Sequence, residues 1–83
     1  MAELHYFGKI REILGQASET LILPSHVSTA EDLRQWLVTR YGDAGACLLA
    51  PTVRIIVNEQ ITDWEATVSD ADQLAFIPPV SGG

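Results

Sequence analysis

The sequence predicts an α+β domain in which one long helix packs on one face of a mixed β-sheet. Three observations lead to this prediction. The 83-residue chain contains one long segment with an apolar stripe at helical spacing. Several short apolar segments are separated by Gly, Pro, Asn and Asp, as is typical of strands joined by turns. Two of these segments precede the helical segment and three follow it.

The first predicted strand covers residues 2–7, where side chains of different character alternate. Since neighbouring side chains of a strand point to opposite faces, Leu4 and Tyr6 are expected to face the core, while Phe7 faces the other side. Residues 10–14 then place apolar side chains at helical spacing, which predicts one or two helical turns.

The second strand and the long helix follow. Residues 19–23 form the predicted strand, which a proline ends. Ser28 and Glu31 have the spacing of a capping box. In such a box the Ser28 side chain accepts from the amide three residues later, and the Glu31 side chain accepts from the Ser28 amide. The apolar stripe that starts there predicts an amphipathic helix ending near Gly42. Residues 42–51 are predicted to be a loop.

The last part of the chain supplies three strands. Residues 53–57 are mostly apolar, which predicts a central strand, and residues 58–59 form a turn into a short return strand at 60–62. Residues 69–72 form a second polar turn, and 73–77 the last strand. This order of elements, with two hairpin-like edges and one long helix packed across the sheet, is that of the ubiquitin-like β-grasp fold. We therefore expect the second face of the sheet to be open.

Composition excludes several function classes. The net charge is −6, and the five Lys and Arg residues are scattered, so neither nucleic acid nor an anionic membrane surface is an expected partner. The acidity suits a basic protein partner, or it serves solubility alone. A single cysteine, no signal-peptide pattern at the start and no apolar segment of about 20 residues together predict a cytoplasmic protein.

No active site is evident within the predicted domain. His5 and His26 stand in different elements without a cysteine cluster, so no metal site is expected. Cys47 lies among small and apolar residues, which favours packing over nucleophilic catalysis. The carboxylates of the last third of the chain are interpreted as a solvated, turn-rich edge: Asp63, Glu65, Asp70 and Asp72.

Two exposed apolar residues form the first functional candidate. Alternation directs Phe7 and Ile77 to the uncovered face, and the first and last strands of a β-grasp sheet are neighbours. The two side chains would then form one patch, and burying each against a partner contributes about 1.5–3 kcal/mol. The alternative is two isolated surface hydrophobes, which are common.

The second candidate is the end of the chain. We expect a β-grasp domain at residues 1–78 and a flexible tail at 79–83, which can extend roughly 17 Å. Its prolines prevent strand pairing, and Gly82 and Gly83 leave the tip without side chains. Such a tail can enter a narrow channel and present one chemical group, the carboxylate of Gly83.

These residues resemble a known family. The ending FIPPVSGG is similar to that of the molybdopterin synthase small subunit, whose pattern is Phe-x-Pro-Pro-Val-x-Gly-Gly. The Tyr6-Phe7 pair and the Ile10-Arg11-Glu12 turn resemble its start. Ala71 stands where a glycine is common and Ile77 where an aromatic residue can stand. The fixed positions of the ending are Phe76, Pro78, Pro79, Val80, Gly82 and Gly83.

The resemblance implies a sulfur carrier with no catalysis and no bound cofactor of its own. A ubiquitin-activating-like enzyme would adenylate Gly83 with ATP, and a sulfur donor would convert it to a thiocarboxylate, a 1-thioglycine. The carrier would dock on the large synthase subunit in a heterotetramer and give sulfur to cyclic pyranopterin monophosphate. The implied interface is Phe7, Arg11, Ile77 and Pro78, and the implied threading segment is Pro79, Val80, Ser81 and Gly82. Arg11 either pairs with a partner carboxylate or is solvated.

Three other readings stay open. A thiamine-pathway sulfur carrier shares the diglycine and the chemistry, although its tail usually lacks the Phe-x-Pro-Pro segment. A ubiquitin-like modifier would join Gly83 to lysines of other proteins. The third is a binding domain whose tail has no role.

Overall fold

The computed structural model describes residues 1–78, so the predicted tail at 79–83 lies outside the described residues. The domain division at residue 78 therefore stays a prediction. The elements, in chain order, are β1 (Ala2–Tyr6), α1 (Gly8–Leu14), β2 (Ser18–Leu21), α2 (Ala30–Tyr41), a 3₁₀ helix (Gly42–Leu49), β3 (Arg54–Val57), β4 (Gln60–Thr62) and β5 (Gln73–Ile77).

The five strands form one mixed sheet in the order β2-β1-β5-β3-β4. β1 and β5 pair in parallel, and the other neighbours are antiparallel. β3 was predicted to be central; it is internal, but the middle position belongs to β5. Alternation is confirmed in β1, because Leu4 and Tyr6 are buried, and α2 contributes Leu33 and Leu37 to the same core.

The start of α2 differs from the prediction by one residue. Thr29, not Ser28, is the N-cap, and the capping box joins Thr29 to Asp32 rather than Ser28 to Glu31. The reason is tertiary: a β-bridge pairs Thr29 with Thr67 and holds Thr29 in extended backbone, with φ −120° and ψ 166°. The bridge includes a hydrogen bond of 2.9 Å from the Val68 amide to the Ser28 carbonyl. The helix can therefore begin only after Thr29.

The predicted loop at residues 42–51 is wrong for most of its length, since Gly42–Leu49 is helical. This segment lies directly on α2. A Cβ at Gly45 would come within 2.8 Å of the Val38 Cα, so glycine permits the close approach. Leu48, which belongs to this segment, is fully buried in the core. The short apolar segment thus packs as a 3₁₀ helix instead of crossing the surface as a loop.

Both predicted turns of the last third are present and are linked to each other. Asn58 and Glu59 adopt positive φ values of 49° and 71°, as the tight turn between β3 and β4 requires. The Asn58 side chain donates to Asp72 at 2.9 Å, and Asp70 accepts from the Leu23 amide at 2.8 Å. The interpretation of these carboxylates as a solvated, turn-rich edge agrees with the exposure of Asp63, Glu65 and Asp70. The structure adds that Asp70 and Asp72 also hold the turns through these hydrogen bonds.

Candidate functional site

The parallel pairing of β1 with β5 brings the ends of these two strands together. Tyr6 lies opposite Phe76, so Phe7 and Ile77 follow side by side, and the Phe7 amide donates to the Phe76 carbonyl at 3.3 Å. Phe7 remains 48% exposed although it is aromatic. The predicted adjacency of Phe7 and Ile77 on the uncovered face is present, and their role in docking stays a prediction.

The uncovered face carries a groove of about 600 Å³, here called the open-face groove, which Phe7 and Ile77 line. Two further lining residues, Ile56 and Ala75, were not identified from the sequence, and His5, which alternation in the first strand places on the same face as Phe7, lies beside them. They form one row across the sheet, because Ala75 pairs with both His5 and Ile56. Alternation in β3 was the signal that could have found Ile56, once the register was known.

Arg11 and Pro78 lie at the same end of the sheet. The Arg11 amide donates to the Phe7 carbonyl at 3.4 Å in the first turn of α1, and its residue is exposed. Pro78 lies over Gly8, where a Cβ would come within 2.8 Å of the Pro78 Cγ. The four predicted interface positions therefore surround the point at which the chain leaves the sheet.

An aromatic cluster supports this end of the sheet from the core side. The ring of Phe76 stacks on Tyr6 at 5.9 Å between centroids and on Trp64 at 6.1 Å. The Tyr6 hydroxyl donates to Glu19 at 2.6 Å, and the Tyr41 hydroxyl donates to the same carboxylate. Burial is the larger cause and the hydrogen bond to Glu19 the second cause that raises the pKa of both tyrosines, so their hydroxyl groups stay neutral. This network joins residues far apart in sequence, so no local sequence pattern indicated it.

The other candidate groups are structural in character. Burial raises the pKa of the Cys47 thiol, and Cys47 packs against the core, in agreement with the packing prediction. The Nε2 atom of His5 lies 3.5 Å from Oε2 of Glu3. Within residues 1–78 there is no cluster of three side chains suited to a metal ion. No helix in this part of the chain is both long and apolar enough to cross a membrane.

The predicted tail residues lie outside the described part of the chain: Pro79, Val80, Ser81, Gly82 and Gly83. What the structure adds is their starting point. The described chain ends at Pro78, beside Phe7 and Gly8, so the tail begins at the edge of the exposed apolar surface.

Comparison with known proteins identifies relatives of this chain. A model of the ThiS family matches residues 4–83. The molybdopterin synthase sulfur carrier subunit of Haemophilus influenzae is 31% identical, in an alignment that covers 100% of both chains. The subunit of the same name from Arabidopsis thaliana is 34% identical, with 93% of this chain and 77% of that one covered.

Solved structures of similar shape agree with the observed topology. SAMP1 from Haloferax volcanii has a TM-score of 0.76 at 24% identity, covering 99% of this chain and 98% of that chain. The complex of subunits 1 and 2 of the molybdopterin-converting factor from Helicobacter pylori contains a chain with a TM-score of 0.63 at 22% identity, covering 99% and 97%. These likenesses confirm the β-grasp fold.

Proposed function

The chain belongs to the ThiS family, and from that premise we propose that it is the sulfur carrier subunit of a molybdopterin synthase. Relatives that align over nearly the whole chain carry this name. The observation in the structure that best supports the proposal is the position of the open-face groove. It runs along β5 from Gln73 to Ile77 and so reaches the end of the sheet from which the chain continues into the diglycine segment. A partner bound there could therefore receive Gly83.

The proposed chemistry begins at the carboxylate of Gly83. A carboxylate is ionised at neutral pH and is a poor electrophile. In the proposed first step one of its oxygens attacks the α-phosphate of ATP on an activating enzyme, and pyrophosphate leaves. Sulfide supplied by a sulfur donor then attacks the carbonyl carbon of the acyl-adenylate, AMP leaves, and the product is a thiocarboxylate.

The second stage is delivery. The proposed partner is the large synthase subunit, and the Helicobacter pylori complex shows that a protein of this fold occurs together with a second subunit. The thiocarboxylate sulfur attacks a carbon of cyclic pyranopterin monophosphate, and a carbon–oxygen bond of that carbon breaks as the oxygen leaves. Water then hydrolyses the acyl–sulfur link, which leaves the sulfur on the pterin and restores the carboxylate. A dithiolene contains two sulfur atoms, so two loaded carriers are consumed, which suits a heterotetramer.

The residues of the described domain serve positioning in this scheme. Phe7 and Ile77 would be buried against the large subunit, and Arg11 lies close enough to Phe7 to meet a partner carboxylate. Holding the reacting group at a fixed place makes transfer effectively unimolecular. The groups that stabilise developing charge belong to the partner subunits.

Mass measurement after reconstitution tests the proposal. The chain is incubated with ATP, a sulfide source and an adenylating enzyme that acts on carriers of this family. Its intact mass is then measured. The expected gain is the difference between sulfur and oxygen, located at Gly83 by fragmentation. Addition of the large subunit and cyclic pyranopterin monophosphate should remove that gain and yield molybdopterin. A chain that never gains sulfur would refute the proposal.

This reconstitution, together with intact-mass analysis of the protein from cells, separates the alternatives. A thiamine-pathway carrier would load sulfur but transfer none to the pterin. A modifier would appear in cells as a ladder of adducts joined through Gly83 to lysines. A binding domain with an inert tail would show neither change.

A further inference from the structure

The open-face groove has a charged end opposite its aromatic end. It runs along β5 from Ile77, beside Phe7, to Gln73, and Glu59 lines it as well. The Asn58 amide donates to the Gln73 carbonyl at 2.8 Å, which places the turn that carries Glu59 at the Gln73 end. The five residues of β5 span roughly 13 Å. A partner surface that fills the groove from Phe7 onward therefore also reaches Glu59.

Glu59 occupies a backbone position that favours glycine. Val57 pairs with Gln60, so Asn58 and Glu59 form a two-residue hairpin loop in which both φ values are positive. Asn-Gly is the preferred pair in such a loop, because glycine adopts positive φ without steric cost. A glutamate with φ 71° strains the backbone there. The turn by itself thus gives no reason for a glutamate at this position.

The exposed Glu59 carboxylate has no charged partner in the described part of the chain. Each salt bridge found there joins other residues. His5, the other titratable residue that lines the groove, lies beside Glu3. Arg54 pairs in register with Ile77, at the opposite end of the groove. Glu59 therefore leaves an uncompensated negative charge at the edge of an apolar surface.

We propose, on the basis of the proposed function, that Glu59 pairs with a lysine or arginine of the large synthase subunit when that subunit covers the open-face groove. The net charge of −6 favours a basic partner in general. Burial of Phe7 and Ile77 supplies most of the affinity, whereas an ion pair at the edge raises the association rate and disfavours partners with an acidic group there. Contacts at both ends of the groove also fix the orientation of the carrier.

Calorimetric titration of the full chain with the large subunit, at about 50 mM and about 500 mM salt, tests this pair. Glu59→Gln should weaken Kd roughly twofold to fivefold at low salt, the range of an exposed ion pair, and by less at high salt. Glu59→Lys should weaken Kd roughly tenfold, because two cations then meet. Glu65→Gln, the matched control, removes the same charge from an exposed residue outside the groove lining and should leave Kd unchanged.

Glu59→Gly separates the contact from the fold. It should raise the melting temperature by roughly 2–8 °C, because the relief of strain exceeds the extra chain entropy of glycine. It should nevertheless weaken binding as Glu59→Gln does. Lower melting of Glu59→Gln with unchanged affinity would overturn the proposal, because the carboxylate would then serve only the turn.

Equal affinities of the wild-type chain, Glu59→Gln and Glu59→Lys would overturn it as well, and the proposed function would stand. A wild-type chain that does not bind the large subunit would instead refute the proposed function, and this ion pair with it. The two failures are therefore distinguished by the wild-type titration alone.

Discussion

Replacement of Phe7 by alanine separates docking from folding. Full burial of a phenylalanine side chain contributes about 1.5–3 kcal/mol, and Phe7 is 48% exposed in the free domain. About half of that contribution is therefore already part of folding, so Phe7→Ala should lower the free energy of unfolding by only about 0.7–1.5 kcal/mol. Water fills the space that the ring leaves, so no cavity cost is added.

Docking should lose more. The partner buries the exposed half of the ring, and the truncated side chain leaves an unfilled pocket in the interface. The combined cost at such aromatic anchors is about 2 kcal/mol or more, which corresponds to a roughly thirtyfold weaker Kd. The assay is calorimetric titration with the large subunit, run beside thermal melting of the free domain.

Two matched variants calibrate the experiment. Phe76→Ala removes a fully buried ring and should cost about 3–5 kcal/mol of stability, with melting strongly lowered. Ile22→Ala removes a 70% exposed side chain just beyond the end of β2 and should change neither quantity. If Phe7→Ala left the affinity unchanged and lowered the melting temperature as Phe76→Ala does, Phe7 would belong to the core and the docking argument would fail.

Three further predictions follow from the same chain. Gly82→Ala should leave melting unchanged but slow sulfur loading or transfer, because a methyl group would enter a narrow channel; full transfer would exclude that channel. Gly8→Ala and Gly15→Ala each place a side chain at positive φ, which should lower the free energy of unfolding by about 1–2 kcal/mol. Only the new Cβ at Gly8 also meets Pro78, so Gly8→Ala should have a lower melting temperature than Gly15→Ala. The raised pKa of Tyr6 means that the unfolded chain loses that proton first, so urea titrations should show stability falling above about pH 10, and less steeply in Tyr6→Phe.

Much of the candidate site could be predicted because it depends on local patterns. Alternation along β1 and β5 assigned Phe7 and Ile77 to the uncovered face without knowledge of the sheet. The hairpin between β3 and β4 was placed from the Asn58-Glu59 pair, since few residues tolerate positive φ. These features are properties of segments no longer than six residues.

The misses all involve contacts with a residue outside the segment whose pattern was interpreted. The helix cap shifted by one residue because the bridge to Thr67 holds Thr29 in extended backbone. The segment at 42–49 became helical because Gly45 can lie against Val38. Ile56 joined the open-face groove only through its register with Ala75. Each outcome depends on a partner whose position the local pattern does not contain.

The sequence by itself determined the order of the strands and α-helices, the face on which each strand side chain lies and the chemical character of the diglycine segment, because each depends on side chains close together in the chain. Only the tertiary structure decided that β1 and β5 pair in parallel with Tyr6 opposite Phe76. That register depends on backbone hydrogen bonds between segments about seventy residues apart, and a shift of one residue would have turned Ile77 toward the core. The open-face groove, and the place where Pro78 leaves the sheet beside it, are consequences of that pairing.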